Sequence, residues 1–243
     1  MMADGYQQFD MFTANRKTLA FDLETEEFTG FGDLANVGIT CAAAVSDDGI
    51  SQLWYGGKDA GQFDEKMAQG EVVRMVDFLW EKMNDGYQIA TWNGLSFDFQ
   101  IVHGQSGGDA RVKQIARQHV DMMFHFFCMK GFAISLEKTA QGMGIEGKTE
   151  GMDGTLAPGM WKAGEFEKVL EYVAQDAQVT LALAQQCALL KEVRWVSKRG
   201  IPNKMALPAG WLSVEEALGL PEPDTSWMDR PWERTRFTHW MSS

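Results

Sequence analysis

Cysteine is scarce in this 243-residue chain. Cys41, Cys128 and Cys187 are far apart and form no C-x-x-C pair, which excludes a disulfide framework and a thiolate metal site and fits a reduced, intracellular protein. Histidine is scarce too: His103, His119, His125 and His239 lack ligand spacing, so a histidine metal site is not indicated. Long apolar runs are missing, since none approaches ~18 residues. The first residues, MMADGYQQFD, carry an acid and no apolar stretch, so the expectation is no export, no membrane span and a cytoplasmic location. Positive charge is the last shortage, with 22 Lys and Arg against 34 Asp and Glu, a net charge of −12. That balance argues against binding nucleic acid by phosphate neutralisation alone. The argument weakens where acids surround bound cations, because the ions then set the local field.

What is present is enough apolar material, 45% of the residues, to bury one substantial core without covalent staples. The stretch "KTLAFDLET", residues 17–25, reads as a strand with Leu19, Phe21 and Leu23 on one face and Ala20, Asp22 and Glu24 on the other. Two β-branched and small-residue runs flanking Asp47-Asp48-Gly49 predict a hairpin, so strands one to three form an antiparallel meander. Residues 64–84 carry Val72, Val76, Leu79 and Met83 at helical spacing and end in Asn84-Asp85-Gly86. A short strand "QIATW" follows, then "NGLSFDFQIV", then the helical stretches "RVKQIARQHV" and "SLEKTAQGMG", with Ser135 as N-cap of the latter. A glycine-rich loop from Gly142 to Gly159 leads into a long helix, roughly Glu165 to Val193. Strands followed by a crossover helix and more helices predict an α/β fold, a mixed sheet with helical cover. The tail from Ile201 holds five of the six prolines and a capping box, Ser213 with Glu216. It reads as an ordered extension, residues 196–243, packed on a domain of residues 1–195.

Asp22 and Glu24 share one face of a central strand, where like charges oppose joint ionisation unless a cation compensates them. D-x-E alone is a weak signal. Two further stretches supply carboxylates. Asp98 lies just beyond a strand at the start of a helix, with Asn93 and Phe97 nearby. In "EYVAQDAQVT", Tyr172 and Asp176 stand at i and i+4, on the same face of the long helix.

D-x-E on a first strand, N-x-x-x-F-D after a later strand and Y-x-x-x-D on a late helix, in that order, resemble the three motifs of the DEDDy 3′–5′ exonucleases of the ribonuclease H-like superfamily. Within that family the chain is most similar to the predicted exonucleases that resemble the proofreading domain of family-B DNA polymerases. The stretches "HVDMMFHF", "SLEKTAQGMGI" and "GKTEGMDG" carry the same likeness, which spans residues 17–195. The resemblance implies a ribonuclease H-like mixed sheet, antiparallel strands 1–3 joined by parallel strands and flanked by helices. It also implies two divalent cations, Mg²⁺ or Mn²⁺, hard ions that prefer oxygen ligands and act together on a scissile phosphate. By match to the motifs, Asp22 would bridge both metals, Glu24 and Asp176 would complete the site of the attacking water, and Asp98 would hold the second metal. Tyr172 would orient that water. Thr25, Asn93 and Phe97 are candidates to contact the terminal nucleotide. The implied activity is hydrolysis from the 3′ end of a single strand, DNA in preference to RNA, with a separate replication or repair protein as a further candidate partner. The alternatives are the same chemistry on RNA and a non-catalytic docking module in a replication or repair assembly.

"KEVRWVSKRGIPNK", residues 191–204, groups Lys191, Arg194, Lys198, Arg199 and Lys204 around Trp195 and is the best basic patch for a nucleic acid. An equally good reading is solvated cations complementing the end of the preceding helix. "GMGIEG", residues 142–147, matches G-x-G-x-x-G but follows a helix and opens none, so it reads as loop punctuation, and Lys148 beside it as a solvated lysine.

Overall fold

A computed structural model describes residues 16–28, 34–146 and 154–242 of the chain. Residues 147–153 of the stretch "GKTEGMDG", Lys148 among them, and the N-terminal residues on which the export expectation rests lie outside them.

Strand β1, Thr18–Thr25, pairs antiparallel with β2, Ile39–Ser46, which pairs antiparallel with β3, Ser51–Tyr55. The β2–β3 turn falls at Asp47-Asp48-Gly49, where Gly49 adopts the positive φ of 99° that a tight hairpin needs. Helix α1, Gln69–Asn84, buries Val72, Met75, Val76 and Leu79. It begins later than the periodicity predicts, because residues 64–67 are tied into extended contacts: Asp64 N donates to Gly56 O and Met67 N to Ile39 O. Strand β4, Gln88–Thr91, returns parallel to β1, and α2, Asp98–Gln105, and α3, Ala110–Gln118, follow. Val120, read from sequence as the end of a helical stretch, forms β5 with Asp121, parallel to β4; α4 spans Met122–Lys130 and α5 Leu136–Met143. The sheet order is β3-β2-β1-β4-β5. It is the mixed sheet with an antiparallel first half that the sequence predicts.

Helix α6, Ala157–Lys162, interrupts the expected glycine-rich loop, and α7 runs Phe166–Leu190. It was expected to continue to Val193. It stops where Lys191 takes the left-handed φ of 54°, and the next residues form β6, Glu192–Val196, paired antiparallel with β7, Pro202–Ala206. The physical reason lies in "EVRWV", whose alternation buries Val193 and Trp195 and exposes Arg194. Gly142, inside α5 and not in a loop, permits this packing: a Cβ there would lie 2.4 Å from Trp195 Cα. The basic patch is thereby corrected. Apart from Lys191, the C-cap of α7, its cations sit on and around a β-hairpin and not at a helix end; Trp195 is buried, and Arg194 and Lys204 both pair with Glu192. Short helices α8, Val214–Leu218, and α9, Thr235–Thr238, complete the chain, α8 with the expected Ser213–Glu216 capping box.

The sheet separates two apolar cores. Leu19, Phe21, Leu23, Ala42 and Ala44 face α1, α2 and α3, and Phe237, Trp240 and Met241 of the C-terminal segment join that core. Ala20, Cys41, Ala43 and Val45 face α7 through Val169, Tyr172, Val173 and Ala177. The small side chains of β2 let α7 lie close on the sheet, which brings its polar residues to the end of β1. The three cysteines are free and buried. Among the described residues, no helix is long and apolar enough to cross a membrane.

Candidate active site

Asp22 and Glu24 project from β1 on the side of α7, opposite Ala43 and Cys41 of β2. Tyr172 and Asp176 lie one turn apart on the face of α7 that covers this strand. The result is convergence: Asp22, Glu24 and Asp176 each offer an oxygen within 4.8 Å of the others. Asp98 is not among those three, yet after burial its charge is the largest influence on Asp22.

Burial first, then the negative charges of Asp98, Glu24 and Asp176, push the Asp22 carboxyl well above the usual carboxylate range. Some surface of Asp22 remains accessible, but protein surrounds the group closely enough for desolvation to dominate. Asp98 is 3% exposed, and burial raises it to about 7, with Asp121 adding repulsion. Among the described residues nothing hydrogen-bonds its Oδ1, a costly state for a buried carboxylate oxygen. The Tyr172 hydroxyl donates to Asp176; burial, and then Asp176, raise its pKa, so the phenol stays protonated. Clustered acids that resist joint ionisation, one with an orphaned oxygen, form a donor set that fits hard divalent cations.

The loop from β4 to α2 supplies the remaining predicted residues. Asn93 is held at φ 71°, and its Oδ1 accepts from Ser96 Oγ at 2.6 Å. Gly94 allows the tight passage, since a Cβ there would lie 2.3 Å from Thr91 Oγ1. Phe97 is half-buried with its ring centroid 6.0 Å from that of Phe28. Thr25 is buried where β1 breaks register with β2.

One residue escaped the sequence reading. Asp121, buried at the end of β5, accepts from Asn93 N at 3.0 Å, Leu95 N at 2.9 Å and Phe124 N at 2.9 Å. It therefore caps α4 and clamps the loop that leads to Asp98. Burial raises it to about 6, while the N–H donors hold it down. The available signal was an acid directly before the helical run "MMFHFF", an N-cap pattern.

A family model described as the RNase_H superfamily matches residues 19–188. The family B DNA polymerase of the hyperthermophilic archaeon Pyrobaculum calidifontis superposes with a TM-score of 0.54 at 19% identity, over 71% of this chain and 24% of that one. Exonuclease I in complex with the inhibitor BCBP gives a TM-score of 0.44 at 15% identity, over 72% of this chain and 41% of that one. E. coli exonuclease I in complex with a dA16 oligonucleotide gives 0.44 at 15%, with the same coverage of 72% and 41%. The polymerase likeness establishes the fold, and the exonuclease likeness is too distant to carry an argument. The chain spans less than half the length of each of these proteins. No curated protein matches the chain in sequence.

Proposed function

The chain belongs to the RNase H superfamily, and we propose that within it the protein is a metal-dependent 3′–5′ exonuclease of the DEDDy type, acting on single-stranded DNA. The convergence of Asp22, Glu24 and Asp176 within 4.8 Å carries this reading. Asp22, Glu24, Asp98 and Asp176 would hold two Mg²⁺ or Mn²⁺ ions. When bound, such ions supply Lewis acidity toward water and phosphate and offset the clustered negative charge.

The chain's own residues then divide the work. Tyr172, kept protonated by its surroundings and fixed by its bond to Asp176, positions the attacking water through its oxygen and does not act as base. Water attacks the terminal phosphorus, the 3′ oxygen of the preceding nucleotide leaves, and a nucleoside 5′-monophosphate is released. Thr25, Asn93 and Phe97 are the contacts to that terminal nucleotide, Phe97 through its ring face. Asp121 acts at one remove, by holding the Asn93–Leu95 backbone. Residues 196–243 act as an extension docked on the nuclease domain.

The test uses a 5′-labelled single strand of DNA and a matched RNA strand, each with Mg²⁺ or Mn²⁺. The expected product is a DNA ladder that shortens from the 3′ end, absent with Asp22→Ala. Wild-type protein inert under both ions overturns the activity; faster trimming of RNA transfers it to that substrate.

A further inference from the structure

A groove of about 770 Å³ opens at the loop that leads to Asp98. Asn93 and Ser96, from the loop that ends at Asp98, form one side, with Trp92 behind them; Trp232, Arg236 and His239 of the C-terminal segment form the other. Its charge is unusual for this protein. No Asp or Glu lines it among the described residues, although the chain has 34. A second hollow, about 510 Å³, is lined by four acids, Glu26, Glu27, Asp64 and Glu65, against one cation, Lys162, which pairs with Glu27, so its charge disfavours a phosphate chain.

The C-terminal wall is suited to bases and phosphates. Trp232 is 47% exposed, and the Arg236 guanidinium lies 4.2 Å from its ring centroid. Among the described residues no carboxylate pairs with Arg236, so its charge is available. The wall is also anchored to the opposite side. Trp240 Nε1 donates to Leu95 O at 2.8 Å, and Phe237, Trp240 and Met241 are buried in the main core. Trp92 is fixed in turn by its Nε1 bond to Ile134 O at 3.2 Å.

We infer that the C-terminal segment completes a groove for single-stranded nucleic acid, in which the Trp232–Arg236 pair engages nucleotides upstream of the bond to be cut. Charge complementarity and continuity with the Asn93–Asp98 loop select this occupant, because planar cations over aromatic rings bind bases by stacking and phosphates by charge. The inference rests on the nuclease reading for the direction of the strand, not for the binding itself.

The experiment measures fluorescence anisotropy of a 5′-fluorescein oligothymidylate of about twelve nucleotides in EDTA, with wild type, Trp232→Ala and Arg236→Glu. Hydrolysis of the same oligonucleotide and of the p-nitrophenyl ester of thymidine 5′-monophosphate follows in Mn²⁺. Each variant should weaken oligonucleotide binding about tenfold, and its kcat/KM loss on the oligonucleotide should exceed its loss on the single-nucleotide ester by about the same factor. Thermal melting of both variants at the wild-type temperature attributes the loss to the groove. Binding equal to wild type overturns the inference, and so do parallel losses on both substrates. Wild-type protein that hydrolyses neither substrate sinks the nuclease reading, while the anisotropy still decides the groove.

Discussion

The carboxylate site and the groove share the loop from Asn93 to Asp98 but differ in charge and in source. The site gathers Asp22, Glu24 and Asp176 within 4.8 Å, beside the buried apolar side chains of Ala20, Val169, Val173 and Ala177. The groove has no acid among its described lining residues and presents Arg236, His239 and exposed tryptophan from the far end of the chain. On the proposed reading, an acidic protein would hold a polyanion without a basic surface overall. The polyanion needs one acid-free approach, and cations at the point where the acids are concentrated.

The largest expected effect lies in the site alone. Asp22→Ala should lower hydrolysis by at least about a thousandfold, since on the proposed reading it removes a metal ligand. Oligonucleotide affinity in EDTA should stay the same or tighten. A comparable fall in both assays would break the division between chemistry and binding. Tyr172→Phe should cost roughly 10- to 100-fold in kcat while the Mn²⁺-dependent rise in melting temperature persists. Unchanged turnover would remove the role assigned to its hydroxyl.

Asp121 belongs to both regions, because it fixes the shared loop. Asp121→Ala leaves the N–H groups of Asn93, Leu95 and Phe124 without their acceptor and should lower the free energy of unfolding by ~3 kcal/mol, measured in urea. Affinity and hydrolysis should fall together in this variant. A selective effect on either would show that the two regions are held independently.

The smallest effect is a pH dependence. A carboxyl whose pKa is raised on folding binds more protons in the native than in the unfolded state, so stability falls as pH rises from the unfolded value toward the folded one. Asp98, raised to about 7, and Asp121, raised to about 6, place this window between about pH 4 and 7. Asp22 contributes in the same direction. Without divalent cations the melting temperature should drop across the window. Asp98→Asn should flatten the drop, and Mg²⁺ or Mn²⁺ should offset it at the upper end. A flat wild-type profile would show that burial does not raise these carboxyls in the folded protein.

Local signals carried much of this. The alternation in "LAFDLET" is enough to place Asp22 and Glu24 opposite Phe21 and Leu23, and the β2–β3 hairpin and the caps at Ser135 and Ser213 follow from side-chain chemistry within a few residues. The end of α7 was not legible in that way. "KEVRW" continues a helix as plausibly as it forms a strand, and the choice was made by pairing with β7 across a hairpin and by the close approach of Gly142, which is remote in sequence. Asp121 was overlooked for a related reason: an N-cap is a local pattern, but clamping Asn93 and Leu95 depends on β4 and β5 lying side by side.

By itself, then, the sequence determined which residues could do chemistry and on which face of each element they lie, because period and capping act over one or two turns. Tertiary structure alone decided which of them meet. The alanine-rich β2 lets α7 bring Asp176 to Asp22 and Glu24, and the burial of Trp240 against Leu95 brings Arg236 to the groove. Those encounters depend on packing between segments far apart in the chain, and no local pattern encodes them.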